Sequence, residues 1–162
     1  MTDSSYTSSF DAETREAFAV YLRDNPNIRR VTPADWSNIM DWLTNPLRRP
    51  TCQAEHSRRN YVRRTFYWDE STQTLMSMGP TDSDKRRIVV TDDRIVEFVE
   101  YMHHNINHGG WDATWKAVSS NYYGILRADV IFLLKRCSAC AFIPSKQPKG
   151  ITYLYARAGP ST

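Results

Sequence analysis

The sequence predicts a mainly α chain with a small antiparallel β element and a metal-binding helical region towards its C-terminal side. Three observations predict this class. Apolar residues recur at helical spacing over most of residues 10–136. One stretch, 65–90, changes to β-branched and aromatic residues with looser alternation. Residues 98–140 then hold His103, His104 and His108, followed by the pair Cys137 and Cys140. The expected organisation is a tail over 1–9, a helical region over 10–64, a β extension over 65–90, a metal-binding domain over 91–142 and a linker or tail over 143–162.

The first helix is expected from about Phe10, with Asp11 as its cap and Glu13 and Glu16 in the first turn. Phe18, Tyr21 and Leu22 form its apolar side, and Asn25-Pro26 ends it because the residue before proline avoids the α region. Thr32-Pro33 opens a second helix, a hydroxyl cap followed by proline at the first helical position. Trp36, Ile39, Met40 and Leu43 make its stripe, read as core, and Asn45-Pro46 stops it. A third helix over 52–64 carries Arg58, Arg59, Arg63 and Arg64, which at about 100° per residue are expected to give one basic flank.

Thr65–Trp68 and Thr72–Met78 read as strands around the turn Asp69-Glu70-Ser71, and Arg86–Val90 as a further strand. So few short strands need helices against them to be stable. Thr91-Asp92-Asp93 caps a helix with Ile95, Phe98, Val99 and Met102 on its apolar face, and His108-Gly109-Gly110 breaks it. Trp111–Ser120 is the next helix, with Trp115 and Val118 inward; Asn121–Gly124 is a turn; Arg127–Arg136 is the last helix, running into Cys137.

Composition excludes several classes. With 41% hydrophobic and 24% charged residues, the chain is rich enough in apolar residues to fold. A net charge of +3 does not by itself argue nucleic-acid binding, although the basic run over 48–64 holds six arginines against Glu55. Three cysteines leave one over in any disulfide scheme, so a reducing compartment and a metal site fit them better. No apolar run approaches the roughly 18 residues of a membrane span, and MTDSSYTSSF lacks the regions of a signal peptide. A soluble protein of the nucleus or cytosol is expected.

Two imidazoles and two thiolates can close a tetrahedron around zinc. Cys137-Ser138-Ala139-Cys140 supplies two sulfurs at a helix end, unlike a redox pair, which opens a helix after a strand. The first nitrogen ligand has two candidates. Relative to Ile95, the helical wheel puts Val99 near 40°, His103 near 80° and His104 near 180°. His103 therefore borders the buried face and is favoured, with His104 as the alternative; His108 is the second nitrogen ligand. One structural zinc per chain is expected.

The segments F-V-E-Y-M-H, H-G-G-W-D-A-T-W, N-Y-Y-G-I-L-R-A-D-V and K-R-C-S-A-C, between Phe98 and Cys140, resemble the His2Cys2 zinc-binding N-terminal domain of integrases of gypsy-type retrotransposons and retroviruses. The likeness covers about residues 60–142, with specific motifs only from 98 onward. It implies a zinc-held three-helix bundle of helix-turn-helix type, with His103 (or His104), His108, Cys137 and Cys140 as ligands. It also implies a role in assembling multimers and holding DNA ends. Residues 66–78 and 86–90 resemble the extension before this domain in some integrases. Gly124 departs from the family pattern, where a tryptophan usually follows the Tyr-Tyr pair. Residues 141–162 contain no Asp or Glu, so a catalytic core with three metal-binding acids is not expected there.

These readings together predict a non-catalytic, integrase-derived module for protein–protein association, with itself or in a nuclear or chromatin complex. The alternatives are a DNA-binding domain using Arg58, Arg59, Arg63, Arg64, Arg127, Lys135 and Arg136, or the N-terminal fragment of a full integrase or polyprotein. No small-molecule substrate and no membrane partner are expected.

Overall fold

The computed structural model describes residues 8–79 and 86–146. The expected tail over 1–9, the loop around Pro80 and the C-terminal linker with its apolar run 151–155 fall wholly or mostly outside these residues. In chain order the described elements are α1 (Ala12–Asp24), α2 (Pro33–Thr44), α3 (Gln53–Thr65), β1 (Phe66–Asp69), β2 (Thr74–Ser77), β3 (Arg87–Val89), α4 (Ile95–Asn105), α5 (Trp111–Asn121), β4 (Tyr122–Tyr123) and α6 (Arg127–Leu134). The protein is thus mainly helical with a small sheet. Among the described residues no helix is long and apolar enough to cross a membrane.

Local chemistry accounts for most helix ends. Asp11 accepts the Thr14 N–H at 2.8 Å and caps α1. Thr32 accepts from Asp35 N–H at 3.0 Å while Asp35 accepts from Thr32 N–H at 3.1 Å, a reciprocal box at the start of α2. Each cap contributes about 1 kcal/mol by satisfying donors the helix leaves open. The start of α4 differs from expectation: Asp92–Arg94 form a single 3-10 turn, and the α-helix begins only at Ile95.

The chain gathers into two compact units that cut across its sequential segments. One combines Asn27–Arg94 with Ser119–Ile125. In it β1 and β2 form an antiparallel hairpin, with Phe66 opposite Ser77 and Trp68 opposite Leu75. β3 extends the sheet antiparallel to β2, and β4 adds to β3 in parallel, so the sheet is mixed rather than purely antiparallel. Two residues are too few to reveal a strand by alternation, which is why Tyr122-Tyr123 reads as a turn in the sequence. Gly124 makes the junction work. Its φ is +104°, and a Cβ there would lie 2.5 Å from the Val90 carbonyl oxygen. No side chain fits, so a tryptophan cannot stand at this position. Val31, Ile39, Trp42, Val62, Phe66, Leu75 and Val89 form the core of this unit.

The other unit combines, among the described residues, 8–26, Ile95–Val118 and 126–146. Here α1 packs on α6: Tyr21 stacks on Phe132 with ring centroids 4.4 Å apart, and Phe18 lies 5.7 Å from the same ring. Glu100 of α4, only 5% exposed, is held by Arg15 of α1 at 3.2 Å and by the Ser8 hydroxyl at 2.9 Å. Ile95, Val99, Val118, Val130, Leu133 and Leu134 are fully buried. This frame carries the metal-ligand candidates.

Candidate metal centre

His103 lies in the last turn of α4 and is completely buried, on the same side as Ile95, Val99 and Glu100. Its neighbour His104 is exposed. The chain then closes the helix with two hydrogen bonds, His108 N–H to His103 C=O at 2.9 Å and Asn107 N–H to His104 C=O at 3.0 Å. This is a Schellman cap with Asn107 as its left-handed residue, at φ +55°. Such a cap brings the residue after the left-handed position back against the one five places earlier. Those two positions are His108 and His103. Their rings meet at 4.7 Å between centroids, 82° apart in plane. His108 is itself left-handed, at φ +56°, a conformation in which histidine is enriched among non-glycine residues. The loop expected at the two glycines is present, and Gly109 also serves packing, since a Cβ there would lie 2.8 Å from Ile106.

α6 ends at Leu134, two residues short of the expected Arg136, and Cys137 is the third residue after it. The chain then turns tightly through Cys140 N–H to Cys137 C=O at 3.1 Å and Ala141 N–H to the same carbonyl at 2.9 Å. Both cysteines are fully buried and unpaired by disulfide. The turn points both sulfurs at the histidines. Cys137 Sγ lies 3.4 Å from His108 Nδ1, Cys140 Sγ lies 3.4 Å from His103 Nε2, and the two ring nitrogens are 3.2 Å apart. One donor atom from each of His103, His108, Cys137 and Cys140 lies within 4.8 Å of the others, so the four can hold one metal ion.

These spacings test the fit of a particular ion. With metal–nitrogen bonds of about 2.0–2.1 Å and metal–sulfur bonds of about 2.3 Å, a zinc tetrahedron has N···N edges of about 3.3 Å and N···S edges of about 3.6 Å. The three distances above fall close to these edges. His104 is outside the donor group; its ring is 6.0 Å from that of His108.

Protonation follows from burial. His103 is lowered to about 4, first by desolvation and then by the charges of His108, Lys146 and His104. His108 is lowered too, again by burial first, then by Lys146 and His104. Both imidazoles are therefore neutral at pH 7, as ligands must be. The Cys140 thiol is pushed up to about 11 by burial and by Cys137, so without a cation it keeps its proton.

Thr114 completes the site and was not among the residues singled out by pattern. Its hydroxyl, fully buried, lies 3.1 Å from His103 Nδ1 and donates to the Gly109 carbonyl at 3.1 Å. With its proton committed to Gly109, the oxygen accepts from His103 Nδ1–H, which leaves Nε2 free to face the sulfurs. The available signal was a hydroxyl residue one turn before Val118 on the inward side of α5.

The basic candidates are spread over both units. On α3, Arg58 and Arg59 are half-buried and straddle the buried Val62, whereas Arg63 and Arg64 are exposed, so the two pairs do not make a uniform flank. In the unit that carries the donor cluster Arg127 is exposed and stacks over Trp111 at 4.3 Å, Arg136 is exposed over Phe132 at 3.7 Å, and Lys135 is half-buried.

No protein-family model, curated protein or solved structure matches this chain.

Proposed function

We propose that His103, His108, Cys137 and Cys140 form a structural zinc site, and that the helical unit it closes is a non-catalytic module for protein–protein association, with itself or within a nuclear or cytosolic complex. The observation that carries the zinc reading is the closed donor set: two nitrogens and two sulfurs within 4.8 Å. Borderline-soft ions such as zinc favour this mixture, whereas hard cations take oxygen. Four protein ligands leave no open coordination position for a substrate or an activated water, which argues against hydrolysis.

Support for association comes from the resemblance to integrase zinc domains and from apolar side chains beside the ligands. Phe142 and Ile143, just after Cys140, are 89% and 38% exposed, and Tyr101 on α4 is 58% exposed. Metal analysis of freshly purified, reduced protein, paired with light scattering before and after chelation, tests the proposal. About one zinc per chain is expected, with chelation abolishing both the ion and the assembly. Protein free of metal refutes the zinc site, and a monodisperse monomer with no binding partner refutes association.

A second reading, contact with DNA phosphates, is favoured by the exposure of Arg63, Arg64, Arg127 and Arg136. It requires gel shifts that weaken steeply with salt; no shift at low salt eliminates it.

A further inference from the structure

The sheet-bearing unit contains a cluster that the metal reading does not use. Phe66, 3% exposed, meets Tyr61 and Tyr123 edge-to-face, with ring centroids 6.2 and 5.3 Å away. Each tyrosine carries a guanidinium. Arg58 Cζ lies 5.4 Å from the Tyr61 ring centre, and Arg87 Cζ lies 5.3 Å from that of Tyr123. Three parts of the chain build this group: one turn of α3 supplies Arg58 and Tyr61, β3 supplies Arg87, and β4 supplies Tyr123. The Tyr123 hydroxyl is raised to about 12, by burial and then by its hydrogen bond with Tyr61, while both arginines pull it the other way. Two hydroxyls and two positive charges therefore share one locality.

Paired cations in a folded protein are ordinarily offset by carboxylates. Among the described residues neither Arg58 nor Arg87 has an acidic partner within salt-bridge distance. Both guanidiniums rest instead on aromatic rings, a contact that leaves the in-plane N–H donors free. A guanidinium fork with free donors matches a tetrahedral oxyanion. Two such forks match the nearly double charge of a phosphomonoester better than the single charge of a carboxylate.

We propose that Arg58, Arg87, Tyr61 and Tyr123 form a docking site for a phosphorylated side chain of a protein partner. This deepens the association reading by naming the chemistry of the partner, and it does not depend on the metal. A nucleic-acid strand presents one charge per phosphate and calls for a row of cations. On α3 Arg59 is engaged by His56 at 3.2 Å, and Arg63 projects about 160° away from Tyr61. Among the described residues Arg64 on α3 and Arg86, which rests over Tyr67 at 5.0 Å, remain as neighbours, which is too little to continue a row.

The test titrates phenyl phosphate into the metal-loaded full chain and follows the arginine side-chain N–H signals by NMR. A short oligodeoxynucleotide is titrated in parallel. Saturable shifts of Arg58 and Arg87 with phenyl phosphate are expected. Arg87→Ala and Arg58→Ala are each expected to weaken binding about tenfold or more, since each removes charge-assisted bonds. Both arginines are half-buried, so Arg87→Lys, which keeps the charge and the strand, serves as the variant with least risk to folding. It is expected to recover only part of the affinity, because an ammonium lacks the fork. Absence of a saturable shift overturns the proposal, and so does full affinity in Arg87→Ala. Response to the oligodeoxynucleotide but not to phenyl phosphate replaces it with nucleic-acid contact. Light scattering on the same samples separates loss of this site from loss of association itself.

Discussion

His103 Nδ1 and Thr114 Oγ1, eleven residues apart in sequence, lie 3.1 Å from each other beside the donor cluster of the candidate metal centre. The Thr114 hydroxyl spends its proton on Gly109, so His103 is held as the Nδ1–H tautomer with Nε2 facing the sulfurs. Thr114→Val keeps the shape and removes the acceptor. Metal affinity is expected to fall about 10–100-fold, the usual effect of losing the partner that orients a ligating histidine. Thr114→Ser should restore most of it. Competition with a chromophoric chelator measures both; unchanged affinity in Thr114→Val would show that packing alone orients the ring.

His103 and His104 give opposite predictions although they are adjacent. His103→Ala removes a fully buried donor and should abolish stoichiometric metal binding and destabilise the unit that carries the donor cluster. His104→Ala alters an exposed residue outside the donor group and should leave metal content and melting temperature close to the parent. Metal analysis and far-UV circular dichroism of the two variants decide between the ligands.

The spacing of the histidines rests on Asn107. Its φ of +55° suits Gly or Asn and penalises a β-branched side chain. Asn107→Val is expected to destabilise the chain by about 1–2 kcal/mol, whereas Asn107→Gly should be nearly neutral. Urea midpoints of the metal-free protein provide the comparison, because bound metal would mask part of the difference.

Acid acts on the centre in two ways. The Cys140 thiol, at about 11, is protonated at pH 7 in the metal-free chain, so metal binding must release at least that proton. Affinity should therefore rise with pH, up to about tenfold per unit for each proton released. Isothermal titration in buffers of different ionisation enthalpy counts the protons. In the metal-free fold His103 sits at about 4, below the ordinary 6.5. A depressed folded value means stability that is present above the ordinary value and lost as pH falls from 6.5 towards 4. Acid midpoints of His103→Gln should lose this dependence.

Glu100 ties α1 to α4 through Arg15 and Ser8. Arg15→Ala leaves a carboxylate that is 5% exposed with only the Ser8 hydroxyl and any bond not removed with it. A loss of about 1–2 kcal/mol is expected, less than for a fully buried pair because the Arg15 side chain is 41% exposed. Thermal melts of Arg15→Ala and Glu100→Gln check this.

Much of the fold is legible because its signals are local. Asp11, Thr32 and Asp35 cap helices through atoms at most three residues away, and proline and asparagine end them nearby. The apolar stripe on α4 likewise distinguishes His103 from His104 by angle alone. Where pairing is long-range the sequence is silent. Tyr122-Tyr123 becomes a strand only because β3 offers it a free edge and Gly124 allows the close pass at Val90. The grouping of α1 with α4 and α6 depends on Phe132 meeting Phe18 and Tyr21, and no periodicity encodes that partner.

The sequence by itself determined the helices and the four residue types of the donor set, since caps, stripes and the C-x-x-C turn are short-range features. Tertiary structure decided which atoms of those residues meet. His103 presents Nε2 because Thr114, from another helix, holds Nδ1, and His108 presents Nδ1 because the cap at Asn107 folds it back over His103. A ring has two nitrogens of nearly equal intrinsic basicity, and only the hydrogen bond made by one frees the other for a metal.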